Sequence, residues 1–170
     1  MKPCILLGRF MPMHLGHQNL IQQITDKGYT PVLVLGESKD RDDRYPWTFQ
    51  ERRHMIHKVY PNIPITYVMD ADSWDTWSDN FMRVYKTIQK KLGTPVIAIH
   101  NKPEDLTSFV FGGTKYINEY YSKVFEILKL VTIQLNPSNI NIRATKIREN
   151  LELNKKYLDP EILKYLKQRK

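Results

Sequence analysis

One cysteine in 170 residues leaves no partner for an internal disulfide and excludes a zinc site built from several thiolates. No apolar run approaches the roughly 18 residues that a membrane span needs. The first such run, Cys4-Ile5-Leu6-Leu7, is too short for a signal-peptide core and ends against Arg9. Internal repeats, low-complexity segments, dividing linkers, zinc-finger spacing and RNA-binding sheet motifs are all missing, so nucleic acid is not an expected partner. Acids are the scarcer charge, 18 against 26 Lys+Arg, for a net charge of +8. Residues 143–170 hold nine Lys/Arg and four Asp/Glu, and so carry +5 of that excess. Such a patch attracts any polyanion, and a solvated basic helix explains it equally well. What remains is ordinary globular material, 41% hydrophobic and 26% charged. The expectation is one soluble, cytoplasmic domain over residues 1–170, its oligomeric state open to homo-oligomers.

Four short aliphatic runs recur: Cys4–Leu7, Val32–Leu35, Ile65–Val68 and Val96–Ile99; a fifth lies within Leu130–Leu135. Runs apolar on both faces suit strands covered on both sides of a parallel sheet. Between them, Gly16–Lys27, Thr48–Tyr60 and Ser78–Leu92 space apolar residues as helices do. The alternation predicts an α/β, Rossmann-like parallel sheet of about five strands with helices on both faces. C-terminal helices follow, one beginning near Thr145, where Thr145 serves as a cap. The other opens with Asp159-Pro160-Glu161, which reads as N-cap, first-position proline and first-turn acid.

In such sheets ligands sit beyond the carboxyl ends of the strands. The segment there after the first strand is Gly8-Arg9-Phe10-Met11-Pro12-Met13-His14-Leu15-Gly16-His17. Gly8 permits a tight turn, and Gly16 lies where free helix N–H groups favour anions. His14 and His17, three apart, share a helix face and can donate hydrogen bonds to phosphate oxygens.

This stretch resembles the Gly-Arg-Phe-x-Pro-x-His-x-Gly-His motif of the nucleotidyltransferase superfamily. It is most similar to the nicotinamide mononucleotide (NMN) adenylyltransferases of archaea and of bacterial Nudix-linked proteins. Pro46-Trp47-Thr48-Phe49-Gln50-Glu51-Arg52 resembles the same branch's Pro-aromatic-Thr-x-x-Glu-Arg segment. Ile142-Arg143-Ala144-Thr145-Lys146-Ile147-Arg148 stands in place of Ile-Ser-x-Thr-x-x-Arg, with Arg143 where serine is usual. Met11 likewise replaces a common glutamine. No Nudix signature accompanies these matches, and no second hydrolase activity is expected.

The resemblance implies adenylyl transfer, in which the NMN phosphate attacks the α-phosphorus of ATP and pyrophosphate leaves. Two anions must then be brought together by cations and N–H donors, with Mg²⁺ carried by ATP rather than held by protein side chains. By the same resemblance Gly8, Arg9, Phe10, His14, Gly16, His17, Thr145, Lys146 and Arg148 hold ATP. Of these, Arg9, His14, His17 and Arg148 serve catalysis. Arg52 and Asp70, or Asp72 in place of Asp70, face NMN, and Trp77, or Trp74, stacks on its pyridinium ring. Read alone, Arg52, Lys146 and Arg148 fit solvated helix faces, and the tryptophans fit sheet packing. The alternatives are another phosphorylated acceptor (phosphopantetheine, FMN, an alcohol phosphate) or a non-catalytic nucleotide- or RNA-binding module. The mixed-charge segment 39–44, with no apolar anchor, reads as a mobile loop able to close over ATP. Lys102, in the loop 101–105, lies at the edge of the same cleft. His54 and His57 read as a surface helix pair, and Cys4 as a small core residue.

Overall fold

The computed structural model describes residues 1–100, 124–137, 140 and 142–168, and the backbone of 110–111 and 114–115. The loop 101–105 and Lys102 lie outside the described residues. In chain order the elements are β1 (Pro3–Gly8), α1 (Leu15–Asp26), β2 (Thr30–Glu37), α2 (Phe49–Val59), β3 (Ile65–Met69), α3 (Trp74–Leu92) and β4 (Val96–Ile99). A two-residue antiparallel pair follows, β5 (Val110–Phe111) with β6 (Thr114–Lys115). Then come β7 (Thr132–Gln134), α4 (Ala144–Glu149), α5 (Leu151–Asn154) and α6 (Pro160–Gln168).

Five strands form one parallel sheet in the order β3-β2-β1-β4-β7. Alternation along each strand divides the core between its two faces. Cys4, Leu6, Leu33 and Leu35 point to one side and pack with Leu20, Ile24, Met55 and Ile162 of α1, α2 and α6. Ile5, Val32 and Val34 point to the other and pack with Trp77, Phe81, Tyr85 and Ile88 of α3. Cys4 is wholly buried, and burial pushes its thiol up to about 12. Strand order reverses on either side of β1, so the switch point, where this fold places ligands, lies between β1 and β4.

α1 and α2 start within one residue of the sequence reading, at Leu15 and Phe49, and two other helix starts change the capping residue. α3 begins at Trp74, four residues before Ser78, because the Ser73 hydroxyl caps it, accepting from the Thr76 N–H at 3.2 Å. α4 begins at Ala144 with Arg143 in the cap position, so Thr145 is its second residue and not its cap.

Candidate active site

The turn after β1 is shaped by Phe10, whose φ of 52° is left-handed backbone that a bulky residue rarely adopts. Its ring is buried, 4.4 Å from the ring of His17, and it lies so close to Gly8 that a Cβ there would sit 3.0 Å from it. Gly8 therefore makes room for a ring that props a histidine.

His14 caps α1. Its Nδ1 accepts from the Gly16 N–H at 3.1 Å, while Nδ1 of His17 accepts from the His14 N–H at 3.1 Å. A backbone N–H can only donate, so both Nδ1 atoms are unprotonated and each neutral ring carries its proton on Nε2. The rings stack 3.9 Å apart. Burial lowers His14 to about 4, and burial, then the charges of His14 and His100, hold His17 well below its usual value. At neutral pH the pair is therefore two fixed Nε2–H donors rather than two cations. Gly16 has its own steric reason: a Cβ there would meet the His14 ring at 2.8 and 2.9 Å.

The arginines divide by burial. Arg9 reaches from the turn to Asp70 beyond β3, its Nη2 donating to both carboxylate oxygens at 2.9 and 3.1 Å, and its guanidinium lies 4.5 Å from the Tyr45 ring centroid. Both members of this ion pair keep about a quarter or less of their side-chain surface exposed. Arg148 comes from α4. Its Nη1 donates to the Met11 carbonyl at 2.8 Å and its Nε to the Asp43 carbonyl at 3.3 Å. It thus ties the turn to the 38–47 loop.

Arg52, expected at the NMN phosphate, has instead no exposed surface. Nη1 donates to the carbonyls of Arg9 (2.7 Å) and Gly36 (2.8 Å), Nη2 to Glu37 (3.0 Å) and Nε to Thr48 (3.3 Å). Burial pulls its pKa down to about 10, with the Glu37 charge opposing, so it stays protonated near neutrality. Trp77 is also in the interior, 1% exposed, stacked on Phe81 with ring centroids 5.3 Å apart. The half-buried Trp74 meets it edge-on at 6.0 Å. Thr145 and Lys146 are exposed on α4. The 39–44 segment and the two histidines of α2 also find partners. The 39–44 segment has a polar anchor: Arg41 donates to Glu37, Ser38, Tyr45 and Trp47 at 2.7–3.3 Å. His57 bonds the Ile63 carbonyl at 3.0 Å, while the His54 ring lies 5.4 Å from that of Tyr165.

A family model described as cytidylyltransferase-like matches residues 5–150, which takes in this whole cleft. The chain belongs to the cytidylyltransferase-like family. Within it, curated relatives named nicotinamide-nucleotide adenylyltransferase are 34% identical over 62 residues (Methanosarcina barkeri) and 32% identical over 81 (Sulfurisphaera tokodaii). These alignments span 36% and 43% of this chain, and 36% and 47% of the relatives. A crystal structure of a bifunctional NMN adenylyltransferase/ADP ribose pyrophosphatase from Francisella tularensis, complexed with AMP and a manganese ion, superposes with a TM-score of 0.71 at 21% identity. It covers 98% of this chain and 48% of that one. Nicotinic acid mononucleotide adenylyltransferase of Plasmodium falciparum, complexed with NaAD, superposes at 0.54 and 16% identity, covering 99% and 96%. At these identities the superpositions establish the Rossmann-like fold.

The sequence reading passes over two residues that the structure places at the carboxyl ends of the strands. Glu37 closes β2, is 8% exposed, and accepts four hydrogen bonds. His100 follows β4 and lowers the proton affinity of His17. Both sit at strand carboxyl ends, the one signal in the sequence that pointed to them. Among the described residues no three His, Cys, Asp or Glu side chains converge as a metal site would need, and no helix is long and apolar enough to cross a membrane.

Proposed function

We propose that this chain is an adenylyltransferase that joins ATP to nicotinamide mononucleotide, giving NAD and pyrophosphate. The observation that carries the reading is the capped histidine pair. Two neutral imidazoles are fixed through Nδ1 at the start of α1, beside a glycine turn at the switch point, and their only remaining polar hydrogens are Nε2–H. A phosphate oxygen of NMN bonds to the α-phosphorus of ATP, the bond from that phosphorus to the bridging oxygen breaks, and pyrophosphate leaves with the electron pair. No protein nucleophile takes part. His14 and His17 donate to the α-phosphate and the leaving phosphates, and Arg9 supplies charge at the same turn. Arg148, Thr145 and Lys146 face the triphosphate from α4.

Arg52 enters the reading through the turn's backbone, since its donors are spent on carbonyls and on Glu37. Asp70 stands at the NMN end, already paired with Arg9. For a ring to reach Trp77 its neighbours have to part, whereas Trp74 is half-buried where it stands. Asp70 and Glu37 are both engaged by guanidinium groups. The donor set therefore fits a divalent ion held by triphosphate oxygens, and such an ion would neutralise part of the charge that opposes attack.

Pyrophosphate release decides the matter, measured with ATP or CTP against a panel of NMN, nicotinic acid mononucleotide, phosphopantetheine and FMN. Turnover with ATP and NMN is expected. Turnover only with another acceptor or with CTP reassigns the substrate, and ATP binding without turnover on any acceptor replaces the enzyme with a binding module.

A further inference from the structure

We propose that Glu37 is a positioning residue for the phosphate turn, acting through Arg52 on the Arg9 carbonyl and through Arg41 on the 38–47 loop. Its carboxylate joins the end of β2 to two further segments, the 38–47 loop and α2. Oε1 accepts from Arg52 at 3.0 Å, from Arg41 at 2.8 Å and from the Ser38 N–H at 3.0 Å, while Oε2 accepts from the Phe49 N–H at the start of α2 at 2.8 Å. The Glu37 carbonyl also accepts from the Asp70 N–H at 2.8 Å, joining it to the residue that pairs with Arg9.

Both walls around Arg9 depend on this carboxylate. On one side Arg52 pulls on the Arg9 and Gly36 carbonyls, and the Arg9 guanidinium packs on Gly36 so closely that a Cβ there would lie 3.4 Å from its Nη1. On the other, Tyr45 covers Arg9 from the loop whose carbonyls at 38, 45 and 47 Arg41 holds. Burial pushes the Glu37 carboxyl up, but the bonds from Arg41 and the Phe49 N–H and the charges of Arg52 and Arg41 more than offset it, so it remains ionised. An apolar side chain would fill this space with less desolvation. What the carboxylate alone does is orient two guanidinium groups beneath the turn, as a second layer of contacts orients ligands in a metal site.

The proposal uses the adenylyl-transfer reading only for its rate measurement, and the test separates the two. Glu37→Gln keeps the shape and removes the charge. In the folded variant kcat with ATP and NMN is expected to fall about tenfold to a hundredfold, since small misplacements of reacting groups have that effect, with KM for ATP within about threefold. Amide hydrogen exchange should quicken in residues 9–13 and 38–47 and stay unchanged in β1, β2 and α3. Arg41→Gln should slow the enzyme less, and the double variant should be no slower than Glu37→Gln alone. An unchanged kcat, an additive double variant, or exchange quickened throughout the sheet overturns the proposal. Should Glu37→Gln fail to fold, the partly exposed Arg41→Gln carries the test: local exchange confined to 38–47 with a lowered kcat supports it, and wild-type behaviour overturns it. If the wild-type protein turns over no acceptor, the functional reading fails while the exchange pattern still decides the role of Glu37.

Discussion

Two arms of one cleft hold their polar groups in opposite ways. At the turn after β1, His14 is 7% exposed, both Nδ1 atoms are bonded to backbone N–H groups, and Arg52 is fully enclosed. On α4, Arg143 holds the cap position without a capping hydrogen bond from its side chain, and Thr145 and Lys146 are exposed. Arg148 crosses from the second arm to the first, through the Met11 carbonyl. Donors fixed before the ligand arrives cost little reorganisation during reaction. Flexible exposed cations must be ordered as the ligand binds. The turn should therefore govern kcat, and α4 should govern KM for ATP.

The largest expected effect comes from the most enclosed residue. Arg52→Leu leaves the Glu37 carboxylate buried with half its charge partners gone, a change that costs about 3–5 kcal/mol in comparable buried pairs. The urea midpoint should drop accordingly. A variant of wild-type stability that loses NMN affinity instead would restore Arg52 to the substrate phosphate. Next, His17→Ala removes one Nε2–H donor and should lower kcat about a hundredfold, roughly 3 kcal/mol, with KM for ATP little changed. If KM rises and kcat holds, the contrast between the two arms disappears.

The same contrast has a pH signature. His14 titrates at about 4 in the folded chain against 6.5 when exposed. Between those values the unfolded chain binds more protons, so the contribution is whole above pH 6.5, shrinks as pH falls, and levels off below 4. Its full size is about 3 kcal/mol for His14, and His17, also depressed, acts in the same direction. Denaturant unfolding followed from pH 7 to 4 should show that slope. His14→Asn, which keeps a side-chain cap but cannot titrate, should flatten it. An unchanged slope would assign the protons elsewhere.

Much of this frame is legible in the chain itself. Val32-Leu33-Val34-Leu35 cannot be other than a covered strand, because both alternating sets are apolar and both are buried. The histidine pair is legible because its spacing matches a helix start that Gly16 permits. Arg52 is not. A cation on an amphipathic helix reads as solvent-facing, and it takes the distant Glu37, fifteen residues earlier at a strand end, with the carbonyls of Arg9 and Gly36, to make its burial tolerable. Trp77 fails for a related reason: its spacing to Phe81, Tyr85 and Ile88 is the core stripe of α3, and a tryptophan in that stripe looks the same in sequence whether it packs or stacks on a ligand. Long-range partners, not local pattern, settle both positions.

Lys146→Ala should have the smallest effect and mark the lower bound of the comparison. Its ammonium lies 3.6 Å from Glu149, with side chains 69% and 59% exposed, and such surface pairs contribute about 0–1 kcal/mol at most. Stability should therefore be unchanged within error. The proposed function sets Lys146 among several cations facing the triphosphate, so KM for ATP should rise a few-fold at low ionic strength and the difference should shrink as salt screens it. A hundredfold loss of kcat instead would mean that the lysine closes onto the reacting phosphates, and that α4 is as much a part of the transition-state machinery as the turn.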